Sequence, residues 1–409
     1  MQNIEKKDII VFIIGLLAMV KVRILGTFAI AEIVVFVTTP FIALSLYKNN
    51  KNVRQLLKYG ILWLVGVLIA DFVNGTPIQG ALKGIFNVIF LLMLIPFVYW
   101  SLYDKPQRFM FYYAGFAISS LYNYFYQKIP DLETDFEREV WLVYAVYPLF
   151  IFISGMLYYY DKKKISYFVT LVFGVWSLYN SSRNIFLCQS LAVVILLYID
   201  KIHASTFYDK IILYKKRIFQ LVIMLLLGFV VIVNIYETMA ANGTLGERVY
   251  EKYIAQKYSK DGLASGRADA FQSLYAISLN PLFGYGSYAK DKEGIIKEYN
   301  NKRNIIVSSK EDEEMLPGHS YILGAWVYAG ICGFIFFAFV LKFILMCISK
   351  GVLLYNQQLT GICMYTLVSM VWNILFSPFA DRINFIYFII FLMILERNYR
   401  LVLKLSVKQ

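Results

Sequence analysis

Histidine, cysteine and charge are all scarce in this chain. It has two histidines and four cysteines in 409 residues, and charged residues make up 16%. Cys188, Cys332, Cys347 and Cys363 fall inside apolar runs, with no CxxC spacing and no histidine close by in sequence. That pattern leaves no metal or redox framework, so the cysteines read as packing residues. There is also no internal repeat, no low-complexity tract and no glycine-rich phosphate loop, which removes the solenoid and P-loop classes.

What the chain has instead is apolar surface. Hydrophobic residues make up 59% of it, mean hydropathy is +0.59, and many apolar runs approach twenty residues, which specifies an integral membrane protein. The net charge of +13 is carried by short loops between those runs rather than by one face of a soluble domain. It reads as a topology signal and as contact with the headgroups of the lipid bilayer, not as a nucleic-acid surface. Aromatic residues, at 18%, suit interfacial belts and packed spans.

Apolar runs of spanning length predict an all-α fold of about twelve transmembrane helices. They lie near residues 9–20, 24–47, 57–74, 80–102, 109–126, 140–160, 165–180, 184–200, 218–237, 319–346, 352–378 and 383–396. The first run has no small-residue cleavage signature and another span follows at once, so it is expected to be a retained helix rather than a signal peptide. The organisation that follows is a bundle of about nine helices over 1–237, a long hydrophilic loop over 238–318, and about three helices with a tail over 319–409.

Lys48, Lys51, Arg54 and Lys58, then Lys105 and Arg108, Lys162 to Lys164, Lys201 to Arg217, and the tail residues Arg397, Arg400, Lys404 and Lys408 occupy alternate loops. The positive-inside rule puts those loops and both termini in the cytoplasm. The segment Asp131 to Glu139, with five carboxylates against Arg138 alone, faces outward on the same count. Lys21 and Arg23 break the pattern, so the first hairpin is the least constrained part of the topology. The loop 238–318 is then extracytoplasmic, with no access to ATP or nucleotide sugars.

Three places could carry chemistry. In the loop, Arg267 leads a helical pattern that ends at Pro281 and Gly284-Tyr285-Gly286, with Phe271, Leu274, Ile277 and Tyr275 on one face. Such a helix would rest on the spans or the bilayer surface and hold a guanidinium and a helix N-terminus near headgroup level, both of which favour an anion. Arg183 sits in the polar run Asn180-Ser-Ser-Arg-Asn184 between two spans, well placed for phosphate. His319 stands where the loop meets a span, and a histidine with a pKa of about 6.5 is mostly neutral there and able to accept a proton.

Each has a plainer reading: Arg267 as a surface cap paired with Asp269, Arg183 as a residue snorkelling to headgroups, and His319 as an interfacial anchor. His203, in a basic loop, reads as a surface residue. Together the three make two arginines able to hold a diphosphate and one neutral base at a single membrane face. No Asp-x-Asp pair stands in the loop, consistent with guanidiniums rather than a metal neutralising a leaving group.

At these residues the chain resembles the O-antigen ligase and O-antigen polymerase (Wzy-type) superfamily of membrane glycosyltransferases. The ligase-type signature is His, then Asn, Ser or Gln, nine residues, Gly, two residues and Gly. His319, Ser320, Gly330 and Gly333 are similar to it throughout. Ser182-Arg183 and the arginine-led helix followed by Pro281-x-x-Gly284-x-Gly286 resemble two further family motifs, in the family's order.

The resemblance implies a GT-C-type fold in the bacterial cytoplasmic (inner) membrane with its site on the extracytoplasmic face. It implies that Arg183 and Arg267 bind the diphosphate of an undecaprenyl-diphosphate-linked oligosaccharide and that His319 activates the acceptor hydroxyl. No cofactor, nucleotide or metal is implied. Gly330 and Gly333, small residues one turn apart, are expected to let a neighbouring span approach closely.

A polymerase of surface polysaccharide (O-antigen or capsule) repeat units uses a second lipid-linked glycan as acceptor; a ligase uses a lipid A core sugar of lipopolysaccharide or a protein hydroxyl. The polymerase is the expected activity because such enzymes are the more numerous members, and it would bring a chain-length regulator protein as partner. The alternative of another class is a lipid-linked oligosaccharide flippase, which would place ionisable residues deep in its spans. Here Asp71 and Lys83 lie near the predicted outer ends of the third and fourth spans and Asp381-Arg382 in an outer turn, so charge gathers around the loop. Asp71, Lys83 and Arg382 are therefore candidates for lining the site, with structural or topological roles as the alternative.

Overall fold

The computed structural model describes residues 4–23, 27–126, 135–180, 182–200, 234, 237–244, 246–257, 268–287, 289–291, 293–302, 315–318, 320–350, 352, 357–377 and 384–407. In chain order these form α1 (Lys6–Leu16), β1 (Lys21–Arg23), β2 (Thr27–Ala29), α2 (Ile30–Asn49), α3 (Lys51–Val73), α4 (Ile78–Leu102), α5 (Phe109–Tyr126), α6 (Asp135–Tyr159), α7 (Lys163–Tyr179) and α8 (Arg183–Asp200). Three shorter helices follow, α9 (Glu247–Lys257), α10 (Ala268–Leu279) and α11 (Ile295–Lys302), then α12 (Tyr321–Ser349), α13 (Gln357–Phe376) and α14 (Asn384–Val407). The expected span 218–237 lies almost entirely outside the described residues, as does the basic loop with His203.

Among the described residues seven helices are long and apolar enough to cross a bilayer. Their outward surfaces are apolar too: Phe41 is 85% and Phe72 89% exposed. Such side chains belong in hydrocarbon, where a helix also satisfies its own backbone. The chain is a multi-pass, predominantly α-helical membrane protein. All four cysteines are free thiols, three of them buried and Cys332 half-buried, among packed apolar side chains.

The first expected span is corrected. α1 has 11 residues, about 16 Å of helix against a hydrocarbon core of about 30 Å. The chain then forms an antiparallel pair of strands, with Lys21 opposite Ala29 and Arg23 opposite Thr27, where the sequence pattern predicts a turn at Lys21 and Arg23 and a second span from residue 24. Irregular backbone in an apolar setting must find partners. Here Ile30 N–H donates to Val20 O (2.9 Å) and Met19 N–H to the Ser119 hydroxyl (3.0 Å).

α1 is held by two devices. Gly15 and Gly115 sit in the crossing with α5 so closely that a Cβ on either would lie 2.2 Å from the other helix's carbonyl oxygen, that of Tyr112 or Phe12. At the start of the helix, Arg108 is 1% exposed and donates to Asp8 Oδ1 (2.8 Å), Ser101 O (3.1 Å), Asp104 and Glu5. Burial alone would raise the Asp8 pKa, but the Glu5 backbone hydrogen bond, Arg108 and Lys105 outweigh it and hold the carboxyl below its usual value.

The last helix closes on the same end of the bundle. Glu396 accepts from Asn52 Nδ2 (2.7 Å) and pairs with Arg400, Arg400 Nη2 donates to Asn50 Oδ1 (2.8 Å), and Arg397 Nε donates to Tyr103 O (3.0 Å). The opposite end, where the described parts of 268–318 dock, is the loop end.

α12 is not one straight span. Gly330 has φ 58° and ψ −152°, a conformation open essentially to glycine alone. Beyond it the chain doubles back. The Trp326 and Phe334 rings lie 4.3 Å apart, those of Tyr321 and Phe337 6.0 Å apart, and a Cβ on Gly333 would lie 2.1 Å from Ala325 O. In a continuous helix, residues eight apart are separated by about 12 Å along the axis. The pairs 325/333, 326/334 and 321/337 share one centre near residue 329, the signature of two antiparallel arms. We call 321–329 the first arm and 331–349 the second.

The neighbouring span expected of Gly330 and Gly333 is thus corrected for both: Gly330 meets the backbone of Leu282 and Phe283, and Gly333 lies against Ala325. Gly333 admits the first arm of its own helix rather than a separate span, because Ala325 and Gly333 together leave no side chain between the arms.

Candidate functional site

The site is built around the reversal at Gly330. The second arm packs antiparallel on α3: Tyr59 stacks on Phe339 (4.2 Å), Trp63 on Phe336 (5.3 Å), and Gly66 lies against Ala329 and Cys332. Trp63 stands midway along α3, and its ring also meets Phe337 (5.3 Å) and Phe385 (6.5 Å). Tyr321 in turn packs on Phe337 and on Phe385, each at 6.0 Å. The first arm and α14 therefore both begin at about the mid-depth of the bundle, on an aromatic floor, rather than at its surface.

The first arm starts at Ser320, a fully buried N-cap whose hydroxyl accepts from Leu323 N–H (2.9 Å). One side of the arm, with Tyr321, Ala325 and Ala329, joins the main core. The other side supports the described part of 268–318: Val327, Leu323, Trp326 and Tyr328 pack with Ala276, Ile277, Ala289, Ile295, Ile296 and Leu316.

α10 runs parallel to the first arm. Ser273 in its middle donates to Pro317 O (2.6 Å), while Pro281 just past its end accepts from Trp326 Nε1 (2.8 Å). The expected helix is present over Ala268–Leu279, but its inward face is Ser273, Ala276 and Ile277, and Phe271 and Leu274 are exposed. Small residues allow the close approach that lets the Ser273 hydroxyl reach Pro317.

The segment entering the first arm is fixed as well. Leu316 N–H donates to Ala289 O (2.7 Å), and Gly318 lies against Tyr328 and Gly324, where a Cβ would be 2.7 Å from the Tyr328 hydroxyl.

The turn Pro281–Ser287 locks the reversal in place. Ile331 N–H donates to Leu282 O (3.2 Å), Tyr285 N–H to Val327 O (2.7 Å) and Gly286 N–H to Tyr328 O (3.1 Å). These bonds satisfy the groups freed where the helix breaks. Gly284 and Gly286 both have positive φ. A Cβ on Gly284 would lie 2.6 Å from Gly330 N, and one on Gly286 2.4 Å from the Thr76 hydroxyl.

On its far side the turn meets α3 and α4. Both oxygens of Asp71 hold Ser287, Oδ1 accepting from its N–H (2.6 Å) and Oδ2 from its hydroxyl (2.7 Å). Asn74 Nδ2 (3.1 Å) and Asn280 Nδ2 (2.9 Å) both donate to Gly284 O. Gly84 leaves the space Ser287 fills, and exposed Lys83 precedes it on α4. Burial, with Glu293 and Asp291, pushes the Tyr285 phenol up to about 12, so it stays a donor, to Ala276 O at 2.8 Å.

Of the residues singled out from sequence, Ser320, Gly330, Gly333, Asp71 and Lys83 come together here. His319, Arg267 and Arg382 lie outside the described residues. The described positions next to the first two, Ser320 and Ala268, open helices whose starts lie on the same side of the loop core. Helix starts carry unpaired N–H groups and a positive partial charge. Arg183 opens α8 and is half-buried; α8 packs on α13, and α13 on α12. Among the described residues no cluster of three metal-ligating side chains occurs.

Sequence reading missed Ser287, Asn74, Asn280, Ser273 and Gly84. The polar turn Asn74-Gly-Thr-Pro77 at the end of an apolar run was the available signal for the first of these contacts. Compared with known proteins, the chain matches no family model and no curated protein.

Proposed function

We propose that this protein is a membrane glycosyltransferase that polymerises undecaprenyl-diphosphate-linked repeat units of a surface polysaccharide at the extracytoplasmic face of the bacterial inner membrane. The observation that carries this reading is the docking of Pro281-x-x-Gly284-x-Gly286 on Gly330. Two motifs that resemble the O-antigen polymerase and ligase superfamily, separated in sequence, meet in one unit whose geometry needs glycine at each motif position. Helix starts on one side of that unit favour an anion, and an aromatic floor suits a sugar or isoprenoid unit.

In this reading the acceptor hydroxyl oxygen attacks the anomeric carbon of the donor glycan while the bond from that carbon to the diphosphate oxygen breaks. The hydroxyl proton passes to the neutral imidazole of His319. Undecaprenyl diphosphate leaves with its developing charge held by Arg183 and Arg267 through charge-assisted hydrogen bonds. Attack opposite the leaving group inverts the anomeric centre.

The test is a reaction of the purified protein with a defined undecaprenyl-diphosphate oligosaccharide as the sole glycan, resolved by product length. A ladder that vanishes in His319→Ala is expected. Arg183→Ala and Arg267→Ala should each weaken donor binding by on the order of 2–4 kcal/mol. No ladder, but transfer once a lipid A core or protein acceptor is added, would replace polymerase by ligase. Silence with every acceptor would sink the enzyme reading and return the flippase.

A further inference from the structure

Asp71 is 6% exposed, on the last turn of α3, and both of its carboxylate oxygens accept hydrogen bonds from one residue of a distant segment, Ser287. A buried carboxylate is costly unless its oxygens are satisfied. Used this way, it fixes a backbone amide and a side chain at once.

Ser287 is not an isolated contact. It is the last residue of the turn that supplies Tyr285 and Gly286 N–H to the first arm and Leu282 O to the second. Asn74, one turn beyond Asp71, holds the carbonyl of Gly284 in the same turn. Gly84 clears the pocket: a Cβ there would lie 1.8 Å from the Ser287 hydroxyl. Every link from Asp71 to Val327 and Tyr328 is a hydrogen bond or a covalent step. The first arm is thereby referenced to α3 at the loop end as well as through its aromatic contacts at mid-depth.

We infer that Asp71 is a positioning residue, a latch that sets the first arm of α12 through the turn Pro281–Ser287 and so fixes the end of that arm where transfer takes place. The role in transfer rests on the function proposed above; the latch itself does not. The carboxylate acts through Ser287 and has no contact with substrate. Its removal should loosen the turn and slow turnover without weakening the donor.

The experiment uses the full chain in lipid nanodiscs. Amide hydrogen exchange is followed in peptides covering 281–287 and 321–331, alongside initial rates over a range of lipid-linked donor. In Asp71→Ala, exchange across both peptides should rise about tenfold or more, as expected when a buried hydrogen-bonded charge is lost, while peptides from α5 and α13 stay unchanged. The kcat should fall by a similar factor with KM unmoved. Asp71→Asn keeps an acceptor for Ser287 N–H and a polar partner for its hydroxyl, so it should restore most of both.

Should Asp71→Ala fail to insert, Ser287→Ala, which removes only the hydroxyl bond, carries the same test with a smaller expected rise in exchange. Unchanged exchange in 281–287 would overturn the latch. A loosened turn with wild-type kcat would overturn positioning, and so would an Asn variant as slow as Ala despite restored protection, since charge rather than geometry would then matter. A wild-type protein inactive with every donor and acceptor removes the role in transfer, and exchange still decides the latch.

Discussion

Replacing Gly330 by alanine puts the reversal of α12 to a quantitative test. At φ 58° and ψ −152° a residue with a Cβ is strained by about 1–3 kcal/mol. The new methyl would also lie 2.0 Å from Leu282 O, a backbone atom that cannot rotate away, so the turn must retreat. Its retreat releases the backbone bonds made by Ile331, Tyr285 and Gly286, each worth about 1 kcal/mol. Together the cost is about 4–6 kcal/mol, a large share of the 5–15 kcal/mol that typically separates a folded domain from its unfolded chain.

The readout is a cysteine pair, Trp326→Cys with Phe334→Cys, on a Cys332→Ser background, oxidised in the membrane and detected by mass spectrometry. The rings at these positions are 4.3 Å apart, whereas on a continuous helix the two residues are about 12 Å apart, beyond the roughly 7 Å Cα separation a disulfide tolerates. The disulfide should form readily with Gly330 in place and at least about a thousandfold more slowly in the Gly330→Ala variant, since about 4 kcal/mol is three tenfold steps of about 1.4 kcal/mol each. Failure to form with glycine in place, or equal formation in both proteins, would refute the two-armed reading.

Two further outcomes concern α1. Arg108→Ala leaves Asp8 buried without its guanidinium, and loss of one partner of a buried pair costs about 3–5 kcal/mol; thermal unfolding in detergent should show a lower Tm, with α1 the first segment to exchange. Because the Asp8 pKa is held below its usual value, its contribution is complete above about pH 4 and fades as pH falls through the folded value. Stability measured from pH 6 down to pH 3 should therefore decline in the wild type, and the decline should be smaller in Asp8→Asn; identical curves would show that Asp8 is not linked to folding.

Hydropathy made α3, α4 and α13 legible because a run of apolar residues bounded by polar turns has few alternatives in a bilayer. It failed at both ends of the length scale, and length was the warning. The first run, 9–20, covers about 18 Å as helix, too little to cross; the run 319–346 covers about 42 Å, too much. The first became the short helix α1, with the strand pair β1–β2 after it, and the second a pair of arms. A window average cannot register Gly330, since one glycine barely changes composition while its φ changes direction.

The helix Ala268–Leu279 was legible from its periodicity and its Pro281 stop. Its inward face was not, because Ser273 and Ala276 are chosen by closeness to the first arm rather than by hydrophobicity. Asp71 stood out as a carboxylate near a span end, but its partner lies 216 residues away, and no local pattern announces such a contact.

The reversal also bears on the order of assembly. The residues that receive Gly330 from outside its own helix all precede it in the chain: Asp71 and Gly84 frame the pocket, and Leu282 to Gly286 form the plug. When a nascent chain emerges from its N-terminus, that cradle can be complete before the glycine is made. The first arm can then be caught as it appears, before a long apolar segment has time to settle across the bilayer as a single rod. A circular permutation that makes 319–349 first would separate the two fates, since the same residues would meet lipid before they meet their cradle.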